Sequence, residues 1–252
     1  TNTTLLERIR RGDATPCLLV AETQTQGRGR LGRQWVSQRG ASLTFSLALP
    51  IAAADWSGLS LAVGLALADA LDPPIDGAPP RIGLKWPNDL MLLSAGEPTR
   101  KLGGILIESM PCAGQRVAVI GMGLNITAVA DDATHAAWTQ GRAHLQQLLP
   151  ALDAPAALHR VAGPLVGMLQ AFEHHGFAPL RERFAARDVL MGQWLTTTLN
   201  TLPQGRADGV DPDGALCLLA DGQRHRLTSG EVSVRAVAQG PLGQAPQEIT
   251  TC

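Results

Sequence analysis

The feature that most constrains this chain is a set of strand-like runs, the last three of which follow one another with no helix between them. Ser42 to Leu49 alternates strictly, with Leu43, Phe45, Leu47 and Leu49 on one side and Ser42, Thr44, Ser46 and Ala48 on the other. That period of two predicts a half-buried strand. Three more runs follow: Ile82–Trp86 continuing to Leu93, Leu102–Glu108, and Val117–Ile126. Turn signals separate them at Ser94-Ala95-Gly96-Glu97-Pro98 and between Pro111 and Gly114. Helical patterns lie at residues 3–11, at Trp56 to Leu71 between the first run and the other three, and at Ala156 to His175 and Leu180 to Ala186. Asp72-Pro73-Pro74 stops the second of these. Strands in consecutive runs with flanking helices predict an α+β fold, a mixed sheet covered by helices, rather than a doubly wound one.

The pattern changes after about Asp188. Short β-like runs at Trp194–Leu199, Ala215–Leu219, Arg226–Thr228 and Val232–Val237 predict a small C-terminal β-barrel. Asp211-Pro212-Asp213-Gly214 reads as a hairpin turn inside it. The expected organisation is a larger domain over 1–187, a barrel over 188–238 and a loose tail over 239–252.

Composition excludes several classes. The chain has 252 residues, 45% of them apolar and 17% charged, enough to bury a core. A net charge of −1 argues against a general nucleic-acid or membrane-surface binder. Cys17, Cys112, Cys217 and Cys252 lie far apart, so neither a disulfide framework nor a structural zinc site is expected, and a reducing cytoplasm is. Gly58 to Leu71 is the most apolar run and is too short to span a bilayer. The chain starts at Thr1 without Met, as expected if residues before it were trimmed.

The basic residues divide unevenly. Nineteen are Arg, and only Lys85 and Lys101 are Lys. Arg is a planar fork and Lys a compact point charge, so two lysines close together mark a place to look for chemistry. Gly27-Arg28-Gly29-Arg30-Leu31-Gly32-Arg33 formally matches a dinucleotide fingerprint. It continues through Trp35 and Arg39 into a strand, however, where that fingerprint requires a helix. What remains is a flexible, arginine-rich loop that either holds an anion or is a solvated basic surface. Lys85-Trp86-Pro87-Asn88-Asp89 spans a strand junction. Its carboxylate could hold a metal or accept a proton, or the segment could be an ordinary turn with Trp86 as core filler. Gly103-Gly104 after Lys101, and Gly121-Met122-Gly123-Leu124-Asn125, place glycines inside strands, where a ligand or another chain comes close. No Walker A sequence is present. His174-His175 reads as a helix end, and Cys112 as a turn residue.

These four segments, in this order, resemble the biotin protein ligase family, strongly over residues 1–128. The helices to about 187 and Ser229-Gly230-Glu231-Val232-Ser233-Val234-Arg235 follow it more loosely. Thr1-Asn2 looks like the end of the family's Ser-Thr-Asn motif. The resemblance implies a class II synthetase-like catalytic fold with a C-terminal SH3-like barrel, in a cytoplasmic enzyme that is a monomer or weak homodimer. It implies that biotin is activated with ATP and Mg²⁺ as biotinyl-5'-adenylate. The product is then passed to a lysine of a biotin carboxyl carrier protein, a subunit of acetyl-CoA carboxylase. The same resemblance carries site roles. Thr1, Asn2, Gln24, Gly27, Arg28, Gly29, Arg30, Lys101, Gly103 and Gly104 are expected at biotin. Arg28, Arg30, Arg33, Trp35, Lys85, Asn88, Asn125 and Trp138 are expected at the nucleotide. Lys101, Arg30 and Asp89 are the expected catalytic groups, with Asp89 also the candidate for Mg²⁺; no structural metal is expected. Some family members carry an N-terminal DNA-binding domain. This chain begins almost at the biotin motif, so none is expected, and neither is contact with nucleic acid or membrane. The competing readings are a lipoate or octanoate ligase or transferase of the same fold, a non-catalytic biotin-binding regulator, and a basic-loop RNA-binding module.

Overall fold

Two antiparallel ladders share one continuous apolar core. The computed structural model describes residues 1–128, 141–228 and 234–237. Its elements begin with α1 (Asn2–Arg10), β1 (Cys17–Ala21), β2 (Ser42–Pro50) and α2 (Leu59–Leu71). A meander of β3 (Ile82–Lys85), β4 (Asp89–Leu92), β5 (Arg100–Cys112) and β6 (Gln115–Asn125) follows. Then come α3 (Ala154–His175), α4 (Arg181–Ala185), β7 (Trp194–Thr197), β8 (Gln204–Val210), β9 (Leu216–Ala220), β10 (Gln223–Leu227) and β11 (Val234–Ala236). The first sheet is ordered β1-β2-β6-β5-β4-β3, and the second β10-β9-β8-β7-β11. Parallel bridges, Leu84 to Asp188 and Lys101 to Arg142, add segments at the borders of the first sheet.

The first sheet is covered on both faces. Leu43, Phe45 and Leu47 of β2 pack with α2 and α3 in the main core. On the other face Leu5, Leu6 and Ile9 of α1 pack with Ala48, Cys112, Val117 and Val119. This corrects the expectation of a half-buried strand at Ser42–Leu49. Ser42, Thr44 and Ser46 are buried as well, because α1 and the segment before β2 lie over them. It also corrects the placing of Cys112 in a turn: the residue is buried at the end of β5 beneath α1.

Two boundaries shift for local reasons. α2 begins at Leu59 rather than Trp56, because Gly58 sits at φ +76° and cannot start a right-handed turn. β8, missed in the sequence, has no aromatic and only one β-branched residue, Val210, to announce it. At Gly205 a Cβ would lie 3.1 Å from both the Leu218 Cβ and the Leu219 carbonyl of β9, so the approach of that strand favours glycine. The Asp211–Gly214 turn does join β8 to β9. The Asp211 carboxylate accepts the Asp213 and Ala215 amides at 2.9 and 3.0 Å. Among the described residues no pairing joins β10 to β11, so the second unit is an antiparallel sheet whose closure into a barrel is not seen.

The second sheet is fastened to the first. Leu195, Ala207, Val210, Leu216, Leu218, Leu227 and Val234 belong to the same core as α2 and β3. The buried Trp86 indole donates to the Gly214 carbonyl at 3.1 Å. The linking segment is tied down as well. Leu84 N–H donates to Arg187 O at 2.7 Å, and Val189 N–H to Leu84 O at 3.1 Å. The buried Arg187 guanidinium bonds Asp69, Asp72 and the carbonyls of Asp72 and Ile82, so its charge is fully paired.

Asp188, next in the chain, is different. Its Oδ1 accepts the Leu190 amide at 2.9 Å, while its buried Oδ2 has no partner among the described residues. Burial lifts its carboxyl to about 6, against the opposing amide bonds from Leu190 and Met191. The folded chain therefore holds this proton more tightly than the unfolded one. Stability is greatest below the ordinary aspartate range and falls as pH rises from there through about 6. Asp188→Asn keeps the acceptor for Leu190 and removes the charge. It should raise Tm by roughly 5 °C at pH 8, with the gain vanishing near pH 4, as read by scanning calorimetry. An unchanged Tm at pH 8 would refute the assignment.

Candidate active site

The cleft is assembled from segments that are distant in sequence. It encloses about 700 Å³ between the N-terminus of α1, the segment before β2, the β3–β4 junction, the middles of β5 and β6, and β11. Among the described residues its lining carries Arg28, Arg30, Arg33, Lys85, Lys101 and Arg235, with Asp89 the single carboxylate. Such an excess of cations stabilises anions, and a partly desolvated wall strengthens the effect.

Asp89 and Lys101 form its centre, with Lys101 Nζ donating to Asp89 Oδ1 at 2.5 Å. In a regular strand Lys101 and Gly104 would point to opposite faces. The β4–β5 register shifts after Leu90: Gly103 pairs with Leu90, but Lys101 pairs with Met91. That bulge re-aims Lys101 toward the side on which Gly104 lies. A Cβ on Gly104 would lie 3.4 Å from both Asp89 Oδ1 and Lys101 Nζ, so the missing side chain leaves the pair its space. Asn88 locks the junction to β5. Its side chain donates to Ile105 O at 2.8 Å, and its carbonyl accepts the Ile105 amide at 3.0 Å. Lys85, opposite Asp89 in the β3–β4 pairing, has its pKa lowered by burial; Asp89 opposes that shift, and Lys101, Arg235 and Arg33 add to it.

The arginine segment is a folded hairpin rather than a flexible loop. Gly29 N–H donates to Arg33 O at 2.6 Å and Trp35 N–H to Gly27 O at 2.9 Å. Gly27 is needed for this closure, since a Cβ there would strike the Trp35 carbonyl. The Trp35 ring lies on Gly123, where any Cβ would overlap the indole. Trp35 Nε1 and Thr44 Oγ1 are both buried without a partner among the described residues, and both residues line the cleft. Burial of a polar atom without a partner is costly and points to a ligand that supplies one.

At the other end, Thr1, Asn2 and Gln24 come together. Ser46 Oγ donates to Asn2 Oδ1 at 2.6 Å and accepts from the Thr1 hydroxyl at 2.5 Å, and Gln24 Nε2 donates to Thr1 Oγ1 at 3.4 Å. Gly121 leaves room for the Asn2 amide. Glu108, which the sequence reading passed over, organises this end. It accepts from Asn2 Nδ2 at 2.9 Å and from Arg28 at 3.1 and 3.2 Å. A carboxylate closing an apolar strand run was the available signal.

The structure thus gathers Thr1, Asn2, Gln24, Arg28, Gly29, Arg30, Arg33, Trp35, Lys85, Asn88, Asp89, Lys101 and Gly104 around one cleft. Three of the expected residues stand behind it. Gly27 shapes the hairpin. Gly103 packs on β6, where a Cβ would meet the Gly123 carbonyl at 2.6 Å. Asn125 is buried and donates to the carbonyls of Lys101 at 3.3 Å and Ala143 at 2.9 Å, so it steadies the head of the Lys101 strand from behind. Trp138 lies outside the described residues. Arg39 turns away and pairs with Glu22 on the surface. Arg235 was missed as a site residue because only the pairing of β11 with β7 brings it to the cleft.

A helix-covered antiparallel sheet with a cation-lined cleft and a second sheet at its rim defines an enzyme that brings anionic substrates together. The comparisons make this specific. Residues 1–125 match the Biotin/lipoate A/B protein ligase family and residues 196–235 the Biotin protein ligase C terminal domain. The bifunctional ligase/repressor BirA of Salmonella typhimurium is 35% identical over 245 residues, covering 94% of this chain and 72% of that protein. The biotin--[acetyl-CoA-carboxylase] ligase of Mycobacterium tuberculosis is 33% identical, covering 92% and 84%. The biotin protein ligase from Aquifex aeolicus, solved in complex with biotin and ATP, superposes with a TM-score of 0.74 at 26% identity, over 92% of this chain and 94% of that one. The chain belongs to the biotin protein ligase family.

Gly123→Ala should push the Trp35 ring off its seat. Acrylamide quenching of tryptophan fluorescence should rise relative to the parent, and the rise should disappear in a Trp35→Phe background. Equal quenching in parent and variant would show that Gly123 does not hold the indole.

Proposed function

We infer that the chain is an ATP-dependent ligase that activates biotin and transfers it to a lysine of a biotin carboxyl carrier protein. The observation that carries this reading is the cleft: among the described residues, six cationic side chains and one carboxylate around about 700 Å³, in a chain 33% identical to a biotin--[acetyl-CoA-carboxylase] ligase. In the first step a biotin carboxylate oxygen bonds to the α-phosphorus of ATP and the bond to pyrophosphate breaks. In the second, the acceptor amine bonds to the acyl carbon, AMP leaves, and the amine gives up a proton. Residues 1–187 are proposed as the catalytic domain and 188–238 as a C-terminal domain that completes the cleft.

Each step asks something of the side chains. Two anions approach in the first, so Arg28, Arg30 and Lys101 are assigned to offset their repulsion. Thr1, Asn2 and Gln24, grouped where Glu108 pairs with Arg28, offer uncharged donors and acceptors that suit the ring system of biotin. Trp35 and Thr44 offer a ring face and unpaired polar atoms on the remaining wall. The mixed anhydride is sensitive to water, and the 27–35 hairpin is placed to cover it.

Magnesium is the expected companion of ATP. Among the described residues no group of three or more His, Cys, Asp or Glu could hold a metal. Asp89, already bonded to Lys101, is the one carboxylate among these residues that lines the cleft. That fits an ion carried mainly by nucleotide phosphates and water with one protein oxygen, where it would neutralise phosphate charge.

Lys101 is assigned to both anions. A point charge with rotatable donors can follow a carboxylate oxygen as it becomes the bridging anhydride oxygen; a guanidinium fork follows less well. Lys101→Arg should keep the fold and lose about 100-fold in biotin-dependent ATP–pyrophosphate exchange. Exchange that is unchanged, or that runs with lipoate and not biotin, would overturn the assignment. Asp89→Asn should lose exchange too, because Lys101 loses its orienting partner. Loss confined to the transfer step would instead make Asp89 the acceptor of the incoming amine's proton. Arg235→Ala should raise KM for ATP several-fold and leave KM for biotin unchanged, since Arg235 acts electrostatically on Lys85, which is assigned to the nucleotide.

A further inference from the structure

The second sheet carries an exposed row of side chains that the cleft does not use. Trp194 on β7 pairs with Arg206 on β8, Arg206 with Leu219 on β9, and Leu219 with Arg224 on β10. On the other side the Val237 amide donates to the Trp194 carbonyl at 2.9 Å, extending the β11–β7 register by one residue. Directly paired residues share a face. Val237, Trp194, Arg206, Leu219 and Arg224 therefore run as one line across the sheet. Val237, Trp194 and Leu219 are 43%, 48% and 40% exposed, although the opposite faces of these strands are buried in the core. Arg224 is matched by Asp208 at 2.7 Å. Arg206 donates to the Gly192 carbonyl at 3.2 Å and has no carboxylate partner among the described residues, so the row is cationic as well as apolar.

This row meets the cleft at β11. Arg235 pairs with Thr196 and also lines the cleft. Trp194 stands two residues from Thr196 on the same face, which makes it the diagonal neighbour of Arg235. The ordinary spacing of such neighbours is about 7–8 Å. A half-exposed indole thus stands beside a residue of the cleft lining.

We propose that this row seats the acceptor protein: an acidic carrier domain that covers Trp194 and Leu219 and faces Arg206 with its carboxylates. The proposal rests on the ligase reading above. The acceptor's amine must reach an acyl carbon inside the cleft, so its body must stand at the mouth. The row adjoining the cleft lining at Arg235 offers a Trp and an Arg with no carboxylate partner among the described residues, the residue types that dominate binding energy at interfaces. The uncompensated charge of Arg206 selects an acidic partner.

The test separates the two half-reactions in the full chain. Trp194→Ala and Arg206→Glu are compared with the parent in biotin-dependent ATP–pyrophosphate exchange and in transfer to an apo biotin carboxyl carrier domain titrated through its KM. The expected result is unchanged exchange and a carrier KM raised about tenfold in each variant, with the salt dependence of transfer flattened in Arg206→Glu. A carrier KM unchanged in both variants overturns the proposal. Equal losses in exchange and transfer also overturn it, because the row would then belong to the adenylate site. Sedimentation provides a further arm: a parent dimer that Trp194→Ala dissociates would assign the row to a second copy of the chain. A parent with no biotin-dependent exchange refutes the ligase reading itself and takes this proposal with it, so the two failures are distinguishable.

Discussion

The structure turns on one ion pair, Lys101 with Asp89, held at 2.5 Å in the wall of the cleft. A partly buried charge pair is tolerated only where its geometry is imposed from outside. Here the imposition comes from every direction. The β-bulge beside Leu90 turns Lys101 toward Gly104, and Gly104 leaves the space. Asn88 bolts the Asp89 junction to β5 through two hydrogen bonds. Behind the strand, Lys101 N–H donates to Gly141 O, and its carbonyl accepts from Ala143 and Asn125. Remove the pair, and these features have no common purpose.

The same logic extends outward to the walls. Gly121 and Gly123, two residues apart on β6, admit the Asn2 amide and the Trp35 indole. A strand that is weaker for its glycines is here supported by β2 and β5 on either side. Glu108 joins the two halves of the wall by holding Asn2 and Arg28 at once. Trp86 extends the connection to the second sheet through Gly214, so the residue that fills the core beside the Lys85–Asp89 junction also fixes the sheet that delivers Arg235. Packing and site are therefore not separable in this protein: the cleft is the place where both sheets and the α1 terminus meet.

Legibility in the sequence followed physical cause. Elements driven by periodic apolar burial were readable: α1 to within a residue at each end, and the meander with its turns. The arginine segment, the Lys85–Asp89 junction and the two glycine strands were recognisable as chemistry because their residues make poor sense as ordinary strand or loop. What failed were features whose cause lies across the fold. β8 has almost no strand-forming residues and exists because β7 and β9 pair with it. The polar side of β2 looked solvent-facing because nothing local says that α1 will cover it. Asn125 was assigned to a ligand although its amide serves two backbone carbonyls.

By itself the sequence determined the class of fold and the inventory of the site. Three strand-like runs in succession, the last two bearing glycines, argue against a doubly wound sheet, and the cations clustered in motif-like segments mark where an anion could be held. Only the tertiary structure decided the arrangement. It chose Lys101 over Lys85 as the partner of Asp89 at hydrogen-bonding distance, made the arginine segment a hairpin, and recruited Glu108 and Arg235. It also left Trp194 exposed beside Arg235 of the cleft lining. The reason is one of range: periodicity and turn chemistry act over a few residues. Which charge stands within a few ångströms of which depends on register, bulges and strand order, set by contacts between residues far apart in the chain.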